Sequence, residues 1–467
     1  MSVVAHHLAS RFLHYIDESI EAPVGRSPGT GEPLHFESWA QAEVPKLHES
    51  PADADTPSER MIRHYLEGKT WVAPRQPICF LTDLHADREA FWRSLIVAGV
   101  VDSPDLESES DEALAAIPDE GFALTPFGRD VHLVIGGDLF DKGPANLPLL
   151  DAIGHFAGSG VHFTLLAGNH DVRTFLGIRH AEATDPGLAH LFVRMGKKTM
   201  TLFREVFETH LAGGDGAQRL SDEAVRSRLF PQRSWFEEFP KLAQGLVPPA
   251  RIEKELKRIQ EKTIELEARC RAYGMSLGDM YAALERARGL FLDADGPYHW
   301  VFSRMHIAMR EGSMLFAHAG VDDEAAAWIA ERGCEAVQES FREALETTPF
   351  ELYNGPLGNV FRTKYRDLDL PMTDVGRHRL QRAGVYAIVH GHRNVFLGQH
   401  MNFRRGVLNF ACDACVDRNT RRIESLAGEG AAATIIAEDG TIYGLSSDHP
   451  AIKVFDPAAY GGWVTSV

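Results

Sequence analysis

The strongest constraint in this chain, which has no internal repeat, is a recurring pattern: a short apolar run that ends in a turn carrying Asp, His, Asn or Gly. It occurs as ICFLTDLHAD at 78–87, VHLVIGGDLFDKG at 131–143 and VHFTLLAGNHD at 161–171. It returns as HIAMREGSMLFAHAG at 306–320 and VYAIVHGH at 385–392. Each apolar run has strand length, and amphipathic stretches such as DREAFWRSLIVAGVV and ANLPLLDAIGHFAGSG separate the first three. Strand alternating with helix predicts an α/β fold with a largely parallel sheet, which would bring five strand ends to one edge. The chemistry is expected in those turns.

The whole-chain numbers narrow the classes. A length of 467 residues suits about three structural units, or one elaborated domain with insertions. Lys plus Arg is 48 against 66 Asp plus Glu, a formal charge of −18, which argues against a surface whose main task is to grip nucleic-acid phosphates. No apolar stretch approaches the ~18 residues that cross a membrane. The opening MSVVAHHLASRFLHYIDESI lacks the basic region and unbroken apolar core of a signal peptide. Five sparse cysteines point to reduced thiols and a cytoplasmic location. Two of them, Cys412 and Cys415, form a CxxC with no second pair or nearby histidine, and read as small buried side chains.

Along the chain, residues 1–75 read as an N-terminal extension with one helix start: Thr56 as N-cap, Pro57 next and Glu59 at the capping-box position. Residues 76–189 and 293–467 carry the strand pattern. Between them, 190–292 reads as a helical cap insertion over the expected site, clearest at 251–274, where Leu256, Ile259, Ile264 and Leu266 recur at near-helical spacing. The acidic stretch 103–127 reads as an inserted surface loop, and Glu311-Gly312 as a hairpin turn.

A single histidine among 22 says little, but several fall at separate strand ends beside carboxylates. These are Asp83-x-His85, Gly137-Asp138 followed by Asp141, Gly168-Asn169-His170-Asp171, His318 and Gly391-His392. Carboxylate and amide oxygens mixed with imidazole nitrogens suit divalent ions such as Mn, Fe or Zn.

In this order, DLH, GDLFDKG, GNHD, HAG and GH, the set resembles the calcineurin-like metallophosphoesterase superfamily over 77–180 and 296–450. The resemblance implies a sandwich of two mixed β-sheets flanked by helices and a site for two divalent metal ions, with Mn favoured. Asp83, His85 and Asp138 would hold the first ion; Asp138, Asn169, His318 and His392 would hold the second. Two dications ~3.5–4 Å apart repel by roughly 18 kcal/mol at an effective dielectric near 20, so bridging anions are needed. Asp138 would be one bridge, and a shared hydroxide, the expected nucleophile, the other. His170 would be the general acid, with Asp171 to orient it and raise its pKa.

Two departures refine the expectation. Gly391-His392-Arg393-Asn394 lacks the second histidine of the GHxH found in phosphodiesterase branches, which favours the phosphoprotein phosphatase and bacterial dinucleotide-tetraphosphatase branch. Lys142 replaces the arginine of GDxxDRG and loses its bidentate grip. Lys142, Arg362 and Arg173 are the expected phosphate-binding residues. The resulting expectation is a phosphomonoesterase acting on a small phosphoester or a phosphoprotein, without membrane or nucleic-acid partners. The alternatives are a phosphodiesterase or dinucleotide polyphosphate hydrolase, and a metal-binding scaffold without catalysis.

Overall fold

The computed structural model describes residues 36–39, 58–102, 110–212 and 219–466. Two mixed sheets face one another. The first has eight strands in the order Phe36–Ser38, Ile452–Phe455, Ile442–Ser446, Ala432–Ile436, Ile78–Leu81, His132–Ile135, His162–Leu166 and Met305–His306. The second has five, in the order His400–Arg404, Val407–Ala411, Ala387–His390, Met314–Ala317 and Ala308–Glu311. The α/β sandwich of two mixed sheets flanked by helices is therefore the observed fold. The motif-bearing strands do not share one sheet, however. Three parallel strands of the first sheet and two of the second supply the five ends.

The period-two alternation of strand side chains sorts the core. Ile78, Phe80, Val134 and Leu166 pack between the sheets against Met314, Phe316, Val389 and Phe410. The Phe80 and Phe316 rings lie 5.9 Å apart. Their chain neighbours Cys79, Leu81, Leu133 and Ile135 point the other way, under the helices. The sandwich thus has an inter-sheet core and a second core between sheet and helices.

Several local expectations are corrected. The first described helix, Glu59–Leu66, is capped by Ser58, whose hydroxyl accepts from the Met61 amide. Thr56 and Pro57 lie outside the described residues. The described part of 103–127 is not a bare loop: Asp111–Ala116 is helical and Ala123–Leu124 pairs with Val101–Asp102. Phe122 stacks on Trp92 with ring centroids 4.0 Å apart, and Asp119 accepts from Arg88 and from the Trp92 indole. The hairpin loop is Gly312-Ser313, since Glu311 still pairs with Met314. Gly312 takes the positive φ of 55° that the first position of a two-residue loop requires.

Every described element from Leu191 to Phe291 is a helix. In the longest, Pro249–Ala272, the buried stripe is Ile252, Ile259, Leu266 and Cys270, while Ile264 is 69% exposed because it falls off that stripe. Phe192, Phe203, Ile259 and Leu284 join the same apolar cluster as the helices on the first sheet, so this segment shares the main core.

His190 opens the segment, buried between Trp235 and Phe239 with its Nδ1 unpartnered. Burial, aided by the charge of Arg194, pushes the imidazole down to about 3. A histidine depressed in the folded state contributes its full stability above ~6.5 and loses it as pH falls below that value, at about 1.4 kcal/mol per pH unit. In urea unfolding, His190→Phe should lose about 2 kcal/mol less than the parent between pH 7 and pH 5. Equal losses would contradict a buried neutral His190.

Candidate metal centre

Asp83 and His85 follow the Ile78–Leu81 strand, Asp138 follows His132–Ile135, and Asn169 follows His162–Leu166. His318 and His392 follow Met314–Ala317 and Ala387–His390 of the second sheet. The turns are tight: Asp83, His85, Asp138 and His392 sit at φ of 55°, 44°, 57° and 67°. Such left-handed residues are costly and persist only where their surroundings over-determine them. Here the Asp83 amide donates to Gly137 O and the His85 amide to Asp138 O, both at 3.0 Å. The buried Asp171 carboxylate accepts from Gly168 N at 3.0 Å and from Asp138 N and Leu139 N at 2.8 Å. A Cβ on Gly168 would meet Asp138 N at 2.1 Å, so only glycine permits that approach.

Two triads emerge, Asp83–His85–Asp138 and Asp138–His318–His392, each able to place its ligand atoms within 4.8 Å of one another. Neighbouring groups fix which atoms remain available. The Nδ1 of His318 lies 2.7 Å from Gly136 O, leaving Nε2 at 3.4 Å from Asp138 Oδ1 without hydrogen-bond alignment. In His85, Nδ1 lies 3.2 Å from Phe140 O, leaving Nε2 at 3.6 Å from Asp83 Oδ1 and 3.9 Å from Asp138 Oδ2. His392 Nε2 lies 3.2 Å from Arg362 O, which leaves Nδ1. Asp83 Oδ2 is engaged by the Thr82 hydroxyl and the His392 amide, which leaves Oδ1. Carbonyl-oriented imidazoles are the usual support for metal ligation, although His85 Nε2 here also meets Lys142 Nζ at 2.5 Å.

The residues fit a metal pair on a further observation: Asn169 Oδ1 and His318 Nε2 are buried without a hydrogen-bond partner. Buried polar atoms are rarely left so. The charges agree. Burial opposes the charge on Asp138, yet the His318, His170 and His85 rings hold its carboxyl well below the usual range. Burial and the Asp138 charge push Asp83 up against the pull of His318.

Beside this cluster lies a dyad that corrects one expectation. His170 Nδ1 is 2.7 Å from Asp141 Oδ2, and Thr199 donates to Asp141 Oδ1 at 2.8 Å. Asp171, expected to orient His170, instead ties down the backbone turns. Nor is the imidazole raised: burial, then Arg173, pushes His170 down to about 4 against the pull of Asp138 and Asp141. Arg173 Nη2 reaches both Asp141 Oδ2, at 3.1 Å, and His170 Nδ1, at 2.7 Å.

A cavity of about 510 Å³ opens over Asp83, His85, Asp138, Asn169, His170 and His392. Lys142 and Arg173 line it, and Lys142 Nζ lies 2.5 Å from His85 Nε2. Arg362 does not line it: its Nε donates to Tyr353 O and its guanidinium rests over the Tyr353 ring. Only its carbonyl serves the site, through His392. Four cations that sequence reasoning missed, Lys198, Arg258, Lys364 and Arg366, do line the cavity. They follow no spacing rule, whereas Asp141 stood within GDLFDKG and was open to assignment.

The sequence model of the calcineurin-like phosphoesterase family matches residues 76–243. That span holds DLH, GDLFDKG and GNHD, while His318 and His392 lie beyond it. No curated protein sequence matches the chain. Among solved structures, a point mutant of a cold-active protein tyrosine phosphatase is 14% identical over 86% of this chain and 85% of that one, with a TM-score of 0.41. The cold-active protein-tyrosine phosphatase of a psychrophilic Shewanella species is 14% identical over 88% of each chain, with a TM-score of 0.38. A protein serine/threonine phosphatase from Saccharomyces cerevisiae is 10% identical over 85% of this chain and 88% of that one, with a TM-score of 0.35. The family match spans three of the site's motifs, so over residues 76–243 the chain is similar to the calcineurin-like phosphoesterases.

Proposed function

We propose that the protein is a dimetal-dependent phosphomonoesterase in which Asp83, His85 and Asp138 hold one divalent ion and Asp138, Asn169, His318 and His392 the other. The observation that carries this reading is the pair of triads sharing Asp138, with the His170–Asp141 dyad beside them. Mn, Fe or Zn suits the mixed oxygen and imidazole donors. Such ions would supply Lewis acidity toward the phosphoryl oxygens and activation of the attacking water. The five free thiols support a cytoplasmic setting. No helix of the described residues is long and apolar enough to cross a membrane.

The chain's own groups do the rest. Lys142 and Arg173 bind and orient the phosphoryl group from the cavity wall. His170 stands to pass a proton to the leaving oxygen from Nε2, since its Nδ1 is taken up by Asp141 Oδ2 and Arg173 Nη2, both at 2.7 Å. The free imidazole is neutral at pH 7, because burial and Arg173 outweigh the two carboxylates. An incoming phosphoryl dianion adds the negative charge that favours protonation, so the acid forms with substrate. Asn394, in place of a second histidine after Gly391-His392, lines the cavity and leaves the first ion's position open, which favours a monoester. An intact dyad argues against a scaffold without catalysis. Residues 190–292 act as a wall of the cleft, contributing Lys198 and Arg258.

Asp138→Asn should abolish hydrolysis of 4-nitrophenyl phosphate and deplete both ions by elemental analysis, whereas His85→Ala should deplete one. Retention of one full equivalent in Asp138→Asn would contradict the bridging role. His170→Asn should keep both ions while losing about 10²–10⁴-fold in kcat for an alkyl phosphate. The loss should be smaller for 4-nitrophenyl phosphate, whose leaving group needs little protonation. Asp141→Asn should follow the same pattern. Equal losses on both substrates would remove the general-acid assignment.

A further inference from the structure

A second cavity, of about 660 Å³, adjoins the first, and Lys142, Lys198 and Ile423 belong to both. The two cavities meet at these residues, each within the volume range of ordinary ligand sites. Six side chains of the second cavity are Lys or Arg and none is Asp or Glu, in a chain of net charge −18. Two of the six cations are already engaged: Lys197 pairs with Glu265, and Arg418 with Asp87 and Glu89. Lys198, Arg269 and Arg422 have no carboxylate within 4.0 Å among the described residues. The Arg269 guanidinium rests over Tyr273, and Arg422 donates to Asn419. Burial, then the charges of Lys142 and Arg173, pushes Lys198 below its usual range against the pull of Asp141 and Asp138.

One phosphoryl group at the metal centre is already served by Lys142 and Arg173. Arg269 and Arg422 line only the second cavity, and Lys198 stands where the two cavities meet. We propose that Lys198, Arg269 and Arg422 form a second phosphoryl subsite, and that the substrate is a small oligophosphate whose terminal phosphoryl sits at the metal centre while its next groups occupy the basic cavity. The proposal rests on the phosphoesterase reading above and names its substrate class. In the reaction it implies, water oxygen forms a new bond to the terminal phosphorus and the bridging P–O bond breaks. One proton of water is lost to solvent, and the bridging oxygen departs on the shortened oligophosphate, taking a proton from His170. A nucleic-acid strand fits less well, since Tyr273 is the one aromatic ring along this cavity among the described residues and successive bases need several stacking platforms.

The test is calorimetric titration of the full-length protein, with its metals, by inorganic tripolyphosphate and by orthophosphate. Tripolyphosphate should bind at least about tenfold more tightly, the effect of a few charge-assisted contacts. The double variant Arg269→Gln/Arg422→Gln should erase most of that advantage while changing orthophosphate affinity less than about threefold. Equal affinity for the two anions, or an advantage that survives in the double variant, would overturn the subsite. Tighter binding of a single-stranded oligonucleotide than of tripolyphosphate would also overturn it. Hydrolysis of 4-nitrophenyl phosphate by the parent protein checks the phosphoesterase reading separately, because the binding comparison needs no turnover.

Discussion

The site depends on one buried carboxylate that takes no direct part in it. Asp171 accepts amide protons from Gly168, Asp138 and Leu139, and so binds the turn after one strand to the turn after the next. That clamp holds Asp138 at a φ of 57° and aims its side chain into the cleft, where the His170 amide secures it. The arrangement is electrostatically tense. Burial and the neighbouring Asp138 charge push Asp171 up to about 7, against the three amides that favour its ionised form. Positive charge between the ligand carboxylates relieves that tension, so metal binding and the stability of this edge are coupled.

Most of the fold was legible in the sequence, as were the residues that the two triads bring together, because both follow short-range rules. Strand-length apolar runs announce buried strands, and the turns that end them must carry whatever chemistry the fold presents. What was not legible depended on direction or on chance proximity. Asp171 is the chain neighbour of His170, but adjacent residues on a helix do not face each other. Asp141, 29 residues earlier, reaches the ring because two turns meet in space. Arg362 lies at the end of a short helix and packs on Tyr353, while Lys364 and Arg366 just beyond it line the cleft. The acidic composition of 103–127 concealed Leu114 and Phe122, two apolar side chains sufficient to dock it.

The helical segment between the GNHD turn and His318 is structurally inseparable from the sandwich, because its apolar faces belong to the same core. Its influence on the cleft is read at the level of charge. Lys198 and Arg258 come from this segment, and Arg269, on the same helix as Arg258, lines the second cavity. Selectivity is therefore open to study through single charge substitutions that leave the core intact, where removal of the whole segment would expose Phe192, Phe203 and Leu284.

The central claim is that one carboxylate, Asp138, joins two ion positions. Anomalous scattering from a crystal of the full-length protein grown with manganese tests it most directly. The account predicts two peaks ~3.5–4 Å apart, one beside Asp83 and His85 and the other beside Asn169, His318 and His392, with Asp138 between them. A single peak, or two peaks that do not share Asp138, would contradict it.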